Sequence, residues 1–252
     1  AILYSLQRMG GILFTQEARN VPTYCRSGEW KLVVVGDSSV GKTAALYRYY
    51  KTKNVEKYYN GFERYPPPVF RNPYIENTKS NYCTDHFTKE VLFKKENEIH
   101  TILIKICDTW GTDDDHGNRF RPLFYIGTDL FLLCFSIDNQ KSFENIKLKW
   151  IQEISQHVPD AKYFLVGMKA DLREDSGTIQ ELEDRSEKLI SPSDGWKLSE
   201  EIGAIGYAEC SSLKGGIDNI IDESCRFFRS LIHGEEYEIP LPTSPAKSAR
   251  NQ

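Results

Sequence analysis

The 252 residues contain no apolar run near the ~18 that a membrane-spanning helix needs; the longest, residues 129–135 and 163–166, are of strand length. A basic excess is also missing. Lys and Arg total 32 against 36 Asp and Glu, a net charge of −4, which disfavours a nucleic-acid binder held by a general basic surface. The six cysteines (Cys25, Cys83, Cys107, Cys134, Cys210, Cys225) include no C-x-x-C pair, and no Cys/His set has zinc-site spacing. Cys107, Cys134 and Cys210 end or sit inside apolar runs and read as core thiols in a reducing compartment. The five histidines are scattered and make no H-E-x-x-H pair. Residues 2–14 are partly apolar but carry Arg8 and a Gly10-Gly11 break, without a signal-peptide cleavage region. Because the chain opens on Ala1, its true start is expected to lie upstream.

A 40% hydrophobic share argues against wholesale disorder. Residues 1–28 lack a clear period and read as an extension; residues 234–252, rich in Pro, Ser and charge, read as a flexible tail. Between them, residues 29–233 form one continuous pattern. Strands are expected at 31–35, 130–135, 161–166 and 207–210, and an antiparallel hairpin at 87–94 and 98–107. Helices are expected at 42–51, 141–157, 194–202 (capped by Ser193) and 217–232, with a short polar helix at 178–189 lying off the core. Alternating strands and helices predict an α/β domain with a mainly parallel sheet covered on both faces, the hairpin giving an antiparallel edge.

Gly36-Asp37-Ser38-Ser39-Val40-Gly41-Lys42-Thr43 fits G-x-x-x-x-G-K-[ST] in full. In that motif the backbone N–H groups of a tight turn converge on phosphate oxygens, with glycines allowing the turn. The bound groups would be held by Ser38 through Ala44, with Lys42 neutralising the outer phosphates and the Thr43 hydroxyl ligating Mg²⁺. A β-branched strand before and a helix after give the right context. A serine-hydrolase elbow is excluded, since Val40 stands where its second glycine is needed.

Three further strand ends suit a nucleotide. Asp108-Thr109-Trp110-Gly111 offers a carboxylate for a magnesium-bound water and a glycine N–H for a γ-phosphate. Lys169-Ala170-Asp171 offers a stem to cover a base and a carboxylate that accepts from a guanine edge. Ser211-Ser212-Leu213 offers backbone N–H groups for guanine O6. Taken singly, each is equally an ordinary turn at the end of a strand.

With these residues in hand, the chain resembles Ras-superfamily small GTPases, and within them the Rho family. The stretches carrying the likeness are GDSSVGKT, DTWG, FRPLF, DLFLLCFSIDNQKSF, VGMKADLR and EIGAIGYAECS. The polar helix after Asp171 is similar to the insert helix of Rho proteins. DTWG followed by an acidic loop after a long switch I is loosely reminiscent of the Rho-BTB branch. The resemblance implies a P-loop NTPase G-domain with a six-stranded, mostly parallel sheet. It also implies GTP/GDP binding with Mg²⁺, and switch loops read by effectors and by exchange or activating factors. Actin-cytoskeleton signalling in the cytoplasm, in places at a membrane periphery, is implied by the same likeness.

The family pattern is broken at several positions. Pro68, within YPPPVF, stands where the family has the switch Thr, and proline has neither a hydroxyl nor an N–H. Thr112 stands at the water-orienting Gln, the degenerate catalytic position beside Lys42. Met168 stands where the superfamily has Asn. Residues 72–85 read as a long polar loop, residues 113–116 as a solvated acidic loop, and Phe62 as a candidate ring for the base. With no cysteine after Cys225, a C-a-a-X box is not expected, and any lipid anchor or further domain would lie outside this sequence. Slow GTP hydrolysis is therefore expected. The alternative of a different class is a scaffold that holds nucleotide without cycling; a P-loop metabolic kinase is a poor reading, since nothing resembles an acceptor-substrate lid and Lys169 and Asp171 suit guanine rather than adenine.

Overall fold

A computed structural model describes residues 8–9, 12–13, 29–52, 86–95, 98–111 and 120–233. Pro68, Thr112, Phe62, the loops at 72–85 and 113–116 and the tail at 234–252 lie outside the described residues. Two very short strands, β1 (Arg8–Met9) and β2 (Ile12–Leu13), pair antiparallel within the segment read as an extension.

The centre of the fold is β3 (Glu29–Gly36), whose run of Leu32, Val33, Val34 and Val35 is buried on both faces. That double burial explains why the strand is continuously apolar rather than alternating. It pairs in parallel with β5 (Glu98–Asp108) on one side and β6 (Leu130–Ser136) on the other. β4 (His86–Lys95) adds the antiparallel edge beyond β5, and β7 (Tyr163–Met168) and β8 (Tyr207–Glu209) complete the far side. The six-stranded order is β4-β5-β3-β6-β7-β8, the mostly parallel sheet expected.

Alternate residues of β3 feed two cores, as the period of a strand requires. Leu32 and Val34 meet α1 (Lys42–Thr52) through Leu46, and α6 (Ile217–His233) through Ile220, Ile221 and Phe228. Val33 and Val35 meet Ile146, Trp150 and Ile154 on the opposite face. Each fully buried Ile or Phe contributes about 1.5–3 kcal/mol. Among the described residues, no helix is long and apolar enough to cross a membrane.

Three local expectations need correction. The single helix expected at 141–157 is α2 (Gln140–Asn145), a π turn (Ile146–Trp150) and α3 (Ile151–His157), with Ile151 N donating to Ile146 O. The short polar helix, α4, spans Ser176–Asp184 and buries Leu182, so it is not wholly off the core. The cap of the next helix, α5 (Pro192–Glu201), is Ser191 rather than Ser193. Pro192 takes the first helical position, where its missing N–H removes nothing, so the capping oxygen must sit one residue earlier; Ser191 accepts from Asp194 N.

Candidate functional site

The sheet register brings the sequence motifs together at the carboxyl ends of the parallel strands. Val34 pairs with Asp108 and Gly36 with Cys134, so the Gly36–Lys42 loop leaves β3 beside the end of β5. Gly36 has φ +149, and a Cβ there would lie 2.1 Å from Cys134 O; no other residue fits the turn. Val40 is buried and pins the loop to the core, while Ser38, Ser39, Thr43 and Ala44 are exposed along its mouth.

Lys42 is buried, and its Nζ donates to Gly36 O and Asp37 O, each at 2.7 Å. Burial lowers its pKa; Cys134, Asp108 and Asp37 oppose that effect. An ammonium held in this way, desolvated and ringed by loop carbonyls, is suited to a polyanion that would restore its balance of charge.

Thr43 Oγ1 donates to Asp108 Oδ2. Thr109 Oγ1 donates to Val34 O at 2.6 Å, holding the chain after Asp108 against β3. Gly111 follows on the phosphate loop itself: a Cβ on it would lie 2.3 Å from Asp37 C and Ser38 N. The hydroxyl–carboxylate pair is a hard oxygen donor set, which fits Mg²⁺ better than zinc or copper. Among the described residues, no three His, Cys, Asp or Glu side chains gather to hold a metal, so an ion at Thr43 and Asp108 would need oxygens from a phosphate or water as well.

The turns that carry Asp171 and Ser211 are stitched together by backbone bonds. Lys169, in the left-handed region at φ 62, starts a short 3₁₀ turn, Ala170–Glu174, that carries Asp171. Ala170 N donates to Cys210 O, and Cys210 N to Gly167 O. Buried Ser211 accepts from Leu213 N and Lys214 N at 2.9 Å. Arg48, on α1, reaches Ser212 O and Leu213 O, tying this loop to the helix that begins with Lys42. The Lys169 ammonium lies 3.3 Å from Asp138. Arg173 forms a bidentate pair with Glu209 and also reaches Ile190 O, which fixes the turn carrying Asp171.

Met168 is buried between the two ends of the site. Its Cε lies 3.7 Å from where a Cβ on Gly41 would sit, and its Sδ lies 3.5 Å from Cys210 Sγ. Burial pushes the Cys210 thiol up to about 12 and the Cys107 thiol up to about 11, as expected of inert core thiols.

Several supporting residues were not singled out from sequence. Asp37 accepts from Asn145 Nδ2 at 2.6 Å and from Trp150 Nε1 at 2.8 Å. Arg121, fully buried, forms a bidentate pair with Glu153, donates to Trp110 O, and lies 4.7 Å from the Trp150 ring centre. Tyr125 OH donates to the same Glu153 at 2.6 Å. Trp110 finds room edge-on to Phe124, ring centres 5.8 Å apart. The FRPLF stretch marked Arg121 only as part of a likeness; nothing local signals that a lone arginine will be buried.

A phosphate-loop turn, a Thr/Asp pair beside it, a glycine laid on the loop and a carboxylate on a braced turn thus share one end of an α/β sheet. A comparison with protein-family models matches the Ras family over residues 69–228. The match begins after the phosphate loop, so it and the loop geometry are independent observations. Spanning more than half of the chain, it establishes that the protein belongs to the Ras family of GTP-binding small GTPases.

Proposed function

We propose that the chain is a Rho-type molecular switch that binds GTP and GDP with Mg²⁺ and signals through its switch loops to effectors, with slow hydrolysis. The observation carrying this reading is the meeting of Lys42, Thr43, Asp108 and Gly111 at one loop, with the Asp171 and Ser211 turns joined to each other through Ala170 N and Cys210 O and the Ser211 turn tied to α1 by Arg48. Residues 38–44 would hold the phosphates, Asp171 and Lys169 the guanine base, and the Ser212 N–H of the Ser211–Leu213 turn its O6, since Ser211 N donates to Gly215 O and Leu213 N to Ser211 Oγ. Thr43 would ligate the ion directly and Asp108 through water. When bound, Mg²⁺ supplies charge neutralisation at the outer phosphates. Lys42 and the loop amides would stabilise charge during in-line attack of water on the γ-phosphate. The Rho assignment is supported by the quoted stretches and by helix Ser176–Asp184 following the Asp171 turn. Effectors in actin-cytoskeleton signalling and a cytoplasmic site of action belong to the same proposal.

Pro68 and Thr112 favour slow turnover, since neither can make the contact its aligned residue makes. They also motivate a second reading, a scaffold that holds nucleotide without cycling. Denaturing the purified protein and identifying the released nucleotide tests the main reading: near one-to-one GDP or GTP is expected, and an empty protein that gains none with Mg²⁺ present would overturn it. Single-turnover hydrolysis then separates the two, because a rate clearly above the buffer blank excludes the pure scaffold.

A further inference from the structure

Five residues close a ring of contacts around one side of the phosphate loop. Asp37 accepts from Trp150 Nε1; the Trp150 face packs against the Arg121 guanidinium; Arg121 donates to Trp110 O; Trp110 precedes Gly111; and Gly111 lies on the Asp37–Ser38 backbone. Arg121 is fixed from outside the ring by its two bonds of 2.8 and 2.7 Å to Glu153, which also accepts from Tyr125, while Asp37 is held from outside by Asn145 Nδ2 and Trp110 by the Phe124 ring. A buried guanidinium so clamped is a rigid fork with little freedom left to lose. Shifting it would disturb the loop through Trp150 and the glycine through Trp110 together.

We propose that Arg121 is a positioning residue that holds Gly111 in register with the phosphate loop and thereby favours the triphosphate over the diphosphate. The inference rests on the nucleotide-binding reading above. In that reading the loop's own amides hold the inner phosphates, whereas the Gly111 N–H meets only the third. Loosening the ring therefore weakens the contact unique to the triphosphate and leaves most of the diphosphate's contacts in place. A ligand shifts or senses such a device only through differential contacts with its states, and here the differential contact is at Gly111.

The test compares the wild-type chain with Trp150→Phe, which keeps an aromatic face but removes the N–H that bonds Asp37. It also uses Arg121→Lys, which keeps the charge but loses the fork. Dissociation constants for GDP and for a non-hydrolysable GTP analogue are measured with Mg²⁺ by calorimetry, on protein whose fold is verified by circular dichroism. The expected result is a loss of triphosphate preference of about fivefold or more in each variant. In the double variant, the loss should be no larger than the greater single loss, as for residues acting as one unit. A merely structural role would weaken both nucleotides alike, so a ratio left at the wild-type value, or moved toward the triphosphate, overturns the inference. If either variant fails to fold, Glu153→Gln, which loosens the clamp while preserving its shape, decides by the same ratio. Wild-type protein binding neither nucleotide would instead defeat the functional reading on which the inference stands.

Discussion

Thr43 donates its hydroxyl to Asp108, joining the first turn after the phosphate loop to the end of β5 across 65 positions of chain. The bond leaves lone pairs on the Thr43 oxygen for an ion, and it aims the Asp108 carboxylate where it would hold one of that ion's waters. Asp108→Asn is expected to weaken magnesium-dependent retention of GDP by about 10–100-fold, the usual effect of an altered outer-shell partner. Stopped-flow release of a fluorescent GDP, with and without EDTA, reads it directly. Wild-type protein should release faster on chelation, and the variant should respond little.

Gly111→Ala is expected to reduce affinity for guanosine triphosphate sharply, because the new methyl group would meet Asp37 and Ser38 backbone atoms at 2.3 Å. Backbone cannot swing aside as a side-chain tip can, so the loop and the strand end must separate. Calorimetric titration checks it; an unchanged affinity would mean that the two segments part without consequence.

Met168→Ala is expected to lower unfolding free energy by about 2–5 kcal/mol, the range for truncating a buried methionine. Met168→Leu should cost less than about 1.5 kcal/mol, since it nearly conserves volume. Equilibrium denaturation of the two variants measures the difference. A GDP release rate that rises in the alanine variant alone would tie the packing beneath Gly41 to nucleotide retention.

Glu153 has a depressed pKa. Burial pushes it upward, but hydrogen bonds from Arg121 and Tyr125 and the Arg121 charge outweigh that and bring it below 4.5. A carboxylate with a lowered folded-state pKa adds stability that is present above its unfolded pKa and fades as pH falls through the folded value. The gap in thermal midpoint between wild type and Glu153→Gln should accordingly be widest near neutral pH and narrow below pH 4.5. A gap that does not change with pH would show that shape, not charge, sets the contribution of Glu153.

Much of this architecture is legible in the chain because local chemistry allows few alternatives. A strand of Leu32 to Val35 covered on both faces must be apolar throughout, and a turn as tight as Gly36–Lys42 needs glycine where a Cβ would strike Cys134 O. The antiparallel hairpin followed from apolar–polar alternation and the mainly parallel sheet from strands alternating with helices, whereas six strands were implied only by the family resemblance. Sequence could not reveal the partnerships made across the fold. Arg121 reads as a surface cation until Glu153, 32 positions away, is seen to neutralise it. Asp37 reads as one more polar residue of the loop until Asn145 and Trp150 arrive from the far side of the sheet. The cap at Ser191 was displaced by a proline whose preference for the first helical position outranks the nearer serine.

The π turn of Ile146–Trp150 has a consequence of its own. Asn145 and Trp150 stand five positions apart, and on an ordinary helix of 3.6 residues per turn they would point about 140° away from each other. The wider turn, closed by Ile151 N on Ile146 O, stacks them so that both reach Asp37. Leu148 sits exposed in the middle of that turn. Excising it would leave the interior filled and let the coil tighten, with the two donors four positions apart and only about 40° from each other on an ordinary helix, so both should still meet the carboxylate. The wider turn thus absorbs one surplus residue, invisible to any count of apolar spacing, without loosening the two-handed grip on Asp37.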